Sequence, residues 1–252
     1  MNNSDNVINE FSTLPSQGKV YQGKINPDIT LRSMKTVDEM KRLNTTPEKQ
    51  YLMLCNLIDD CTVSEKQMSS YDMCLGDYQY LLHRLRVATY GNKYKMHTNC
   101  PFCLSTEDNE IDLDSINVIP FDEESINKCI EFTLPKTEHV IRIKHQTPRL
   151  LDAITKALIE DKKRTKMDRG LVVTLARVID TVDGQKYDIV KLEEFVEKLP
   201  MADTNSILKH SEKLTKLIGL DLDITVECEV CGYQFPTTFR TTSEFFGPSV
   251  DI

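Results

Sequence analysis

Two cysteine pairs decide the fold of this chain: Cys100-Pro101-Phe102-Cys103 and Cys228-Glu229-Val230-Cys231-Gly232. The C-x-x-C spacing lets two thiolates from one tight turn reach the same metal ion, and two such turns supply the four ligands of a closed tetrahedral zinc site. Stretches typical of strands enter and leave both pairs, as in a zinc ribbon, and Gly232 permits the positive φ that such a turn needs. We therefore predict one structural zinc ion per chain, with these ligands: Cys100, Cys103, Cys228 and Cys231.

Each pair with its turn is called a knuckle here, and the two knuckles are far apart in the sequence. Residue 228 lies 125 positions after residue 103, whereas a compact ribbon usually has about 15–20 residues between its pairs. Because the entropic cost of closing a loop grows only slowly with its length, a long insertion between the knuckles is tolerable. We predict an α+β fold in which helical segments surround a split zinc-ribbon-like module formed by the two distant knuckles.

Other interpretations of the cysteines remain open. Each pair could be a redox motif or simply buried, although neither fits well the position at a helix N-terminus that a thioredoxin-like motif occupies. His97 precedes Cys100 by three positions and is the only substitute ligand that the spacing suggests. Four thiolates leave no open coordination position, which argues against a catalytic zinc. The other four cysteines lack partner spacing and are predicted to be buried apolar residues: Cys55, Cys61, Cys74 and Cys129.

The chain divides into five segments around the knuckles. Residues 1–30 mix polar residues with isolated apolar ones and show no helical period, so we predict an extended N-terminal arm, either disordered or laid on a partner. Its spaced apolar anchors are Phe11, Leu14, Val20, Tyr21 and Ile25. The remaining segments are a helical region (31–92), the first zinc knuckle (93–118), inserted strands and a helical region (119–220), and the second zinc knuckle with a C-terminal tail (221–252).

Local signals predict several elements within these segments. Thr46-Pro47 and Thr147-Pro148 are cap-plus-proline signals for helix starts. Strands are predicted over 129–134 and 139–144, an apolar and buried segment over 171–179, and amphipathic helices over 190–199 and 205–218, with Gly219 as the C-cap of the latter. The acidic stretch 107–114 lacks the pattern of a calcium loop and is predicted to be solvated surface.

Composition and motif content limit the classes of function that this chain can have. The 252-residue chain has a net charge of −8, which argues against a general nucleic-acid binder because such proteins attract phosphate with a basic field. No apolar run approaches the roughly 20 residues that span a bilayer, and the polar N-terminus does not resemble a signal sequence. We expect a protein outside membranes in a reducing compartment, where cysteines favour metal binding or burial. Walker, nucleophile-elbow and paired-carboxylate signatures are missing from the sequence, so we expect no enzyme.

Five stretches, in order, carry a family resemblance. They are 14–21 (LPSQGKVY), 29–39 (ITLRSMKTVDE), 77–91 (DYQYLLHRLRVATYG), the first C-x-x-C pair, and the second pair followed by 244–249 (EFFGPS). This order resembles the baseplate hub subunit family of contractile-tailed (myovirus) bacteriophages. The resemblance implies a structural or assembly role in the tail baseplate of the virion, without enzymatic activity, after synthesis in the host cytoplasm.

The same resemblance implies other phage baseplate or tail proteins as partners, and self-association within the assembly stays open. We expect the arm and the aromatic tail, Phe245-Phe246, to make those contacts, since aromatic anchors dominate interface energies. The alternative is a floppy N-terminus with a tail docked on the chain's own core. Copy number, the baseplate protein contacted and persistence in the mature particle are not determined by the sequence, and residues 119–145 carry none of the resemblance.

Two alternatives from other classes remain. One is a nucleic-acid-binding zinc-ribbon protein, which would use basic and aromatic residues near the knuckles: Lys93, Tyr94, Lys95, Tyr233 and Arg240. Acidic residues at 107–114 and 227–229 lie beside them in the sequence and weaken this reading. The other is an enzyme with a structural zinc, which would need a pocket built from residues that no sequence motif pairs.

Overall fold

The computed structural model describes residues 8–43, 50–65, 68–239 and 243–246, which form an α+β fold of helices and small antiparallel sheets. The helices are α1 (Thr36–Leu43), α2 (Gln50–Cys61), α3 (Leu75–Tyr90), α4 (Glu123–Ile130), α5 (Pro148–Arg164), α6 (Gly170–Val178), α7 (Ile189–Lys198) and α8 (Met201–Thr215). The strands are β1 (Asn9–Thr13), β2 (Asp28–Arg32), β3 (Lys93–Asn99), β4 (Thr106–Asp112), β5 (Glu131–Thr133), β6 (Val140–Ile143), β7 (Ile179–Val182), β8 (Asp223–Glu227) and β9 (Gln234–Thr238). The prediction of an α+β fold is confirmed.

The sheets are small. Three are two-stranded, β1-β2, β3-β4 and β8-β9, and the fourth has the order β5-β6-β7. In the β3-β4 hairpin Asn99 lies opposite Thr106, and in the β8-β9 hairpin Glu227 lies opposite Gln234. Each of these two hairpins therefore closes around one C-x-x-C pair.

Helix starts follow the capping chemistry of the sequence. The Thr147 hydroxyl accepts a hydrogen bond from the Leu150 N–H, and Pro148 takes the first position of α5, where its missing N–H costs nothing. The Asp188 carboxylate caps α7 in the same way, through the Lys191 N–H. The predicted helix start at Thr46-Pro47 lies outside the described residues.

Three local predictions differ from the structure. The strand predicted over 129–134 is wrong at its start, because α4 runs to residue 130. The Asp122 carboxylate caps α4 through the N–H groups of Glu124 and Ser125, and this favourable start outweighs the short β-prone run. The apolar segment 171–179 is α6 followed by the first residue of β7. The helix predicted over 205–218 ends at residue 215, so Gly219 is not its C-cap.

The predicted extended arm is folded onto the core over its described part, residues 8–30. Strand β1 pairs with β2, and the Leu14 N–H donates to the Pro27 carbonyl at 2.8 Å, which closes the segment between them. Leu14 and Ile25 are buried in the same cluster as α2 and α3. The prediction of an extended arm that is disordered or laid on a partner is therefore wrong for these residues, which pack on their own chain. Residues 1–7 lie outside the described ones.

The aromatic tail is also part of the core. Phe245 and Phe246 are fully buried, with their ring centroids 5.4 Å apart. The Arg86 Nε donates to the Phe245 carbonyl at 2.9 Å, which fixes the tail against α3. The expectation that these two rings anchor a partner is wrong, since they anchor the chain to itself.

Two large apolar clusters meet at the start of α3. The first contains residues of the N-terminal segment, α2, α3 and the tail, and the second contains residues of the segment 119–220 together with Cys74. The chain enters and leaves that segment at adjacent points, because Val118 and Leu220 form an antiparallel bridge and the Ile119 N–H donates to the Gly219 carbonyl at 2.9 Å. Because the segment 119–220 closes on itself, the chain before it and the chain after it come together, although they are far apart in sequence. Within the described part of the chain, no helix is long and apolar enough to cross a membrane.

Gly76 provides a test of how the two clusters meet. A Cβ atom at Gly76 would lie 2.1 Å from the carbonyl oxygen of Ile218 and 3.0 Å from the nitrogen of Gly219. Helix propensity alone predicts that Gly76→Ala stabilises the protein by up to about 1 kcal/mol. The backbone clash predicts the opposite sign, a loss of about 2–3 kcal/mol in the free energy of unfolding.

Urea unfolding measures this difference, with Gly91→Ala as the control. A Cβ at Gly91 meets nothing within 4 Å, although its φ of +83° makes alanine strained, so we expect a loss of only about 1 kcal/mol there. A Gly76→Ala protein that is more stable than the wild type would contradict this close approach of α3 to residues 218–219.

Candidate metal centre

The two knuckles have the same backbone geometry. The Cys100 carbonyl accepts from the Leu104 N–H at 3.0 Å, and the Cys228 carbonyl accepts from the Gly232 N–H at 2.8 Å. The Cys100 N–H donates to the Ser105 carbonyl at 2.9 Å, as the Cys228 N–H does to the Tyr233 carbonyl at 3.0 Å. The residue after each second cysteine is left-handed, with φ of 62° at Leu104 and 71° at Gly232. The sequence predicted this conformation only for the glycine.

The knuckles meet in space. The Sγ atoms of Cys100 and Cys231 are 3.7 Å apart, and those of Cys103 and Cys228 are 3.6 Å apart. All four Sγ atoms lie within 4.8 Å of one another. Four sulfurs about 2.3 Å from a tetrahedral ion would be separated by about 3.8 Å. Two of the sulfur pairs have this separation, and the four thiols are close enough together to hold one metal ion.

Burial differs between the cysteines of each pair. Cys100 and Cys228 are buried in a small cluster with Val226 and Phe235, while Cys103 and Cys231 are exposed. All eight cysteines are free thiols. The first cysteine of each pair thus faces the apolar interior between the hairpins, and the second faces outward.

Polar neighbours connect the two knuckles. The Ser105 hydroxyl lies 3.1 Å from the Cys103 sulfur and 3.4 Å from the Cys228 sulfur, and it donates to Glu107 at 3.3 Å. The second oxygen of Glu107 accepts from the Glu229 N–H at 2.7 Å. Hydrogen bonds of this kind orient metal ligands and adjust their charge. Sequence reasoning placed Glu107 in a solvated acidic stretch and did not single out Ser105.

The thiols ionise unequally in the absence of a cation. Hydrogen bonds from the side chain and the backbone of Ser105 lower the pKa of Cys103 to about 6. A hydrogen bond to Glu107 raises the pKa of Cys228. The backbone N–H of Tyr233 lowers the pKa of Cys231, but desolvation and the neighbouring cysteines outweigh it and raise this pKa to about 12. A bound metal ion would override these differences, because it stabilises every thiolate and expels the protons.

The other predicted candidates do not join the cluster. His97 is exposed on β3 and pairs with Asp108. Cys55, Cys61, Cys74 and Cys129 are buried, in agreement with their prediction as apolar residues. Burial raises the pKa of both Cys55 and Cys61 to about 12, so these thiols stay protonated and unreactive.

The described residues among those considered for nucleic-acid binding do not form one basic surface. Lys93 pairs with Glu110, and Tyr94 packs between the rings of Phe239 and Phe245 at 5.5 and 5.4 Å. Tyr233 stacks on Phe102 in the knuckles, while Arg240 lies outside the described residues.

A comparison with known proteins gives one family. The model of the family described as T4 bacteriophage base plate protein matches residues 7–247, and this range includes both knuckles. No curated protein and no solved structure gives a significant match to the chain.

Proposed function

The chain belongs to the T4 bacteriophage base plate protein family, and on this premise we propose that it is a non-enzymatic subunit of the baseplate hub, stabilised by one zinc ion. Membership of this family gives it a structural role in the baseplate of a phage tail. The proposed hub position rests on the resemblance of the five ordered stretches to the baseplate hub subunit family. The observation that carries the zinc proposal is the meeting of four cysteine sulfurs from two distant knuckles.

Zinc is the proposed ion because of the ligand set. Four thiolates in a tetrahedral arrangement select zinc or iron. We propose zinc because two strand-flanked C-x-x-C turns with four cysteine ligands are the arrangement of structural zinc ribbons. The proposed ligands, Cys100, Cys103, Cys228 and Cys231, fill every coordination position. Such a site supports the fold and leaves no position for a reacting water.

The module needs a metal for a physical reason. Hairpins β3-β4 and β8-β9 are both two-stranded, and an isolated two-stranded hairpin is marginally stable at best in water. Among the described residues, the apolar cluster between them is small: Cys100, Val226, Cys228 and Phe235 are buried, and Met96 and Ile224 pack against them. In our proposal zinc binding supplies the missing stability and makes the two hairpins a split zinc-ribbon-like module.

The proposed partners are other baseplate and tail proteins. The protein would be made in the host cytoplasm, where reducing conditions keep thiols available for zinc, and would then enter the virion tail. The inserted segment, 119–220, is proposed as a unit that closes on itself at the bridge between Val118 and Leu220.

Assembly in the phage that encodes this chain tests the proposal. With the gene disrupted, we expect no finished baseplates, and plasmid-borne wild-type protein should restore them and co-purify in a fixed ratio to the other baseplate proteins. Finished tails in the absence of this protein, or purified baseplates that lack it, would contradict the proposed role.

A further inference from the structure

The outer end of the two knuckles exposes large apolar side chains. Phe102 is 73% exposed, Leu104 82%, Val230 71% and Tyr233 46%. The rings of Phe102 and Tyr233 stack with centroids 5.5 Å apart, and Tyr233 also stacks on Phe235 at 6.4 Å. The first contact joins an exposed ring from each knuckle. Together with the exposed apolar residues of the same two turns, these rings define the knuckle tip: Phe102, Leu104, Val230 and Tyr233.

Leu104 is unfavourable in two ways for the isolated chain. Its φ of 62° is left-handed, a conformation that Cβ sterics disfavour in residues other than glycine. The equivalent position in the second knuckle is Gly232, which has the same conformation at φ 71° without that cost. The hydrogen bond from the Leu104 N–H to the Cys100 carbonyl holds this conformation, but the leucine side chain is almost fully exposed, so its own contacts do not offset the strain. Strain maintained at an exposed residue is typical of a functional surface.

Charge restricts what can cover the tip. The only charged residues in the segments 98–107 and 226–235 are acidic, namely Glu107, Glu227 and Glu229. A polyanion such as nucleic acid, or an anionic lipid surface, would be repelled here. A protein surface with lysine or arginine around an apolar pocket has the complementary charge.

We propose that the knuckle tip docks into an apolar pocket, rimmed by lysine or arginine, on a different protein of the baseplate. Phe102 and Tyr233 provide the aromatic anchors that dominate interface energies, and the three glutamates set the orientation. A second copy of this chain is a less favourable partner, because its net charge of −8 repels the acidic knuckle tip. This inference rests on the proposed role in the baseplate.

Leu104→Gly separates docking from folding. Glycine relieves the left-handed strain, so the variant should keep its zinc and unfold at the same or a higher temperature than the wild type. We nevertheless expect its incorporation into baseplates to fall at least tenfold in competition with wild-type protein. Phe102→Ser should show the same loss and serves as the second variant if Leu104→Gly alters zinc content. Met167→Ser is the control, because Met167 is exposed and apolar but lies outside the knuckles.

A photo-reactive benzoylphenylalanine at position 102 identifies the protein that contacts the knuckle tip in assembled baseplates. We expect a cross-link to a different baseplate protein, at a peptide that contains or adjoins lysine or arginine. Cross-links to a second copy of this chain or to nucleic acid would overturn the proposal, as would normal incorporation of both Leu104→Gly and Phe102→Ser. If the wild-type protein itself fails to enter baseplates, the proposed function is wrong, which is a distinct result.

Discussion

Replacing Cys228 with serine is expected to reduce bound zinc from one ion per chain to nearly none and to unfold both knuckles. Cys228 is buried between the hairpins, with its sulfur 3.6 Å from that of Cys103. A serine oxygen is a poor replacement for a thiolate at such a site, and metal binding energy in structural zinc sites is folding energy, on the order of 10 kcal/mol in small zinc domains. Elemental analysis gives the zinc content, and limited proteolysis should show new cleavage in 93–112 and 223–238.

The matched control is Cys129→Ala, which removes another buried cysteine from the second cluster, away from the knuckles. It should lower global stability modestly, as core truncations do, but keep one zinc ion per chain. Full zinc content in Cys228→Ser, or the same zinc loss in both variants, would contradict the assignment of ligands.

The second large effect is expected for Asp77→Ala, which should lower the free energy of unfolding by about 3 kcal/mol or more. Asp77 is completely buried in the first turn of α3. One carboxylate oxygen accepts from the Ser16 N–H at 2.9 Å, and the other accepts from the Ser16 hydroxyl at 2.5 Å and the Tyr21 hydroxyl at 2.6 Å. Without the carboxylate, the two buried donors of Ser16 lose their acceptor, the partly buried Tyr21 hydroxyl keeps only the Cys74 sulfur at 3.3 Å, and the N-terminal segment loses its polar attachment to α3.

Urea unfolding and proteolysis within 14–27 measure this effect. Asp72→Ala is the control, since Asp72 forms a partly exposed ion pair with Arg149 at 2.6 Å, and exposed pairs contribute at most about 1 kcal/mol. An equal loss of unfolding free energy in the two variants would show that the hydrogen bonds of Asp77 to Ser16 and Tyr21 do not hold the N-terminal segment.

Spacing and capping made part of this structure predictable. The C-x-x-C pairs specified the knuckles, and the need for four ligands required Cys103 and Cys228 to meet despite their separation. Thr147-Pro148 specified the start of α5 because its signals are local. In each case the chemistry needed for the prediction lies within a few residues, or within a motif of fixed spacing.

The N-terminal segment and the tail could not be predicted because their partners are distant. Ser16 is held by Asp77, and the Phe245 carbonyl is held by Arg86. Composition shows a polar stretch with isolated apolar residues, which is also typical of disorder. Long-range contacts decide whether such a segment packs on the core or is disordered, and a single sequence does not reveal those contacts. Ser105 and Glu107 were missed for the same reason, since Glu107 reaches the other knuckle.

The most direct test of the central claim, one zinc ion shared by two distant knuckles, is zinc K-edge X-ray absorption on freshly purified protein, calibrated by metal content. The account predicts one zinc per chain surrounded by four sulfurs at about 2.3 Å, and none of the nitrogen or oxygen neighbours of a catalytic site. A protein without zinc, or a zinc with fewer than four sulfur neighbours, would contradict it.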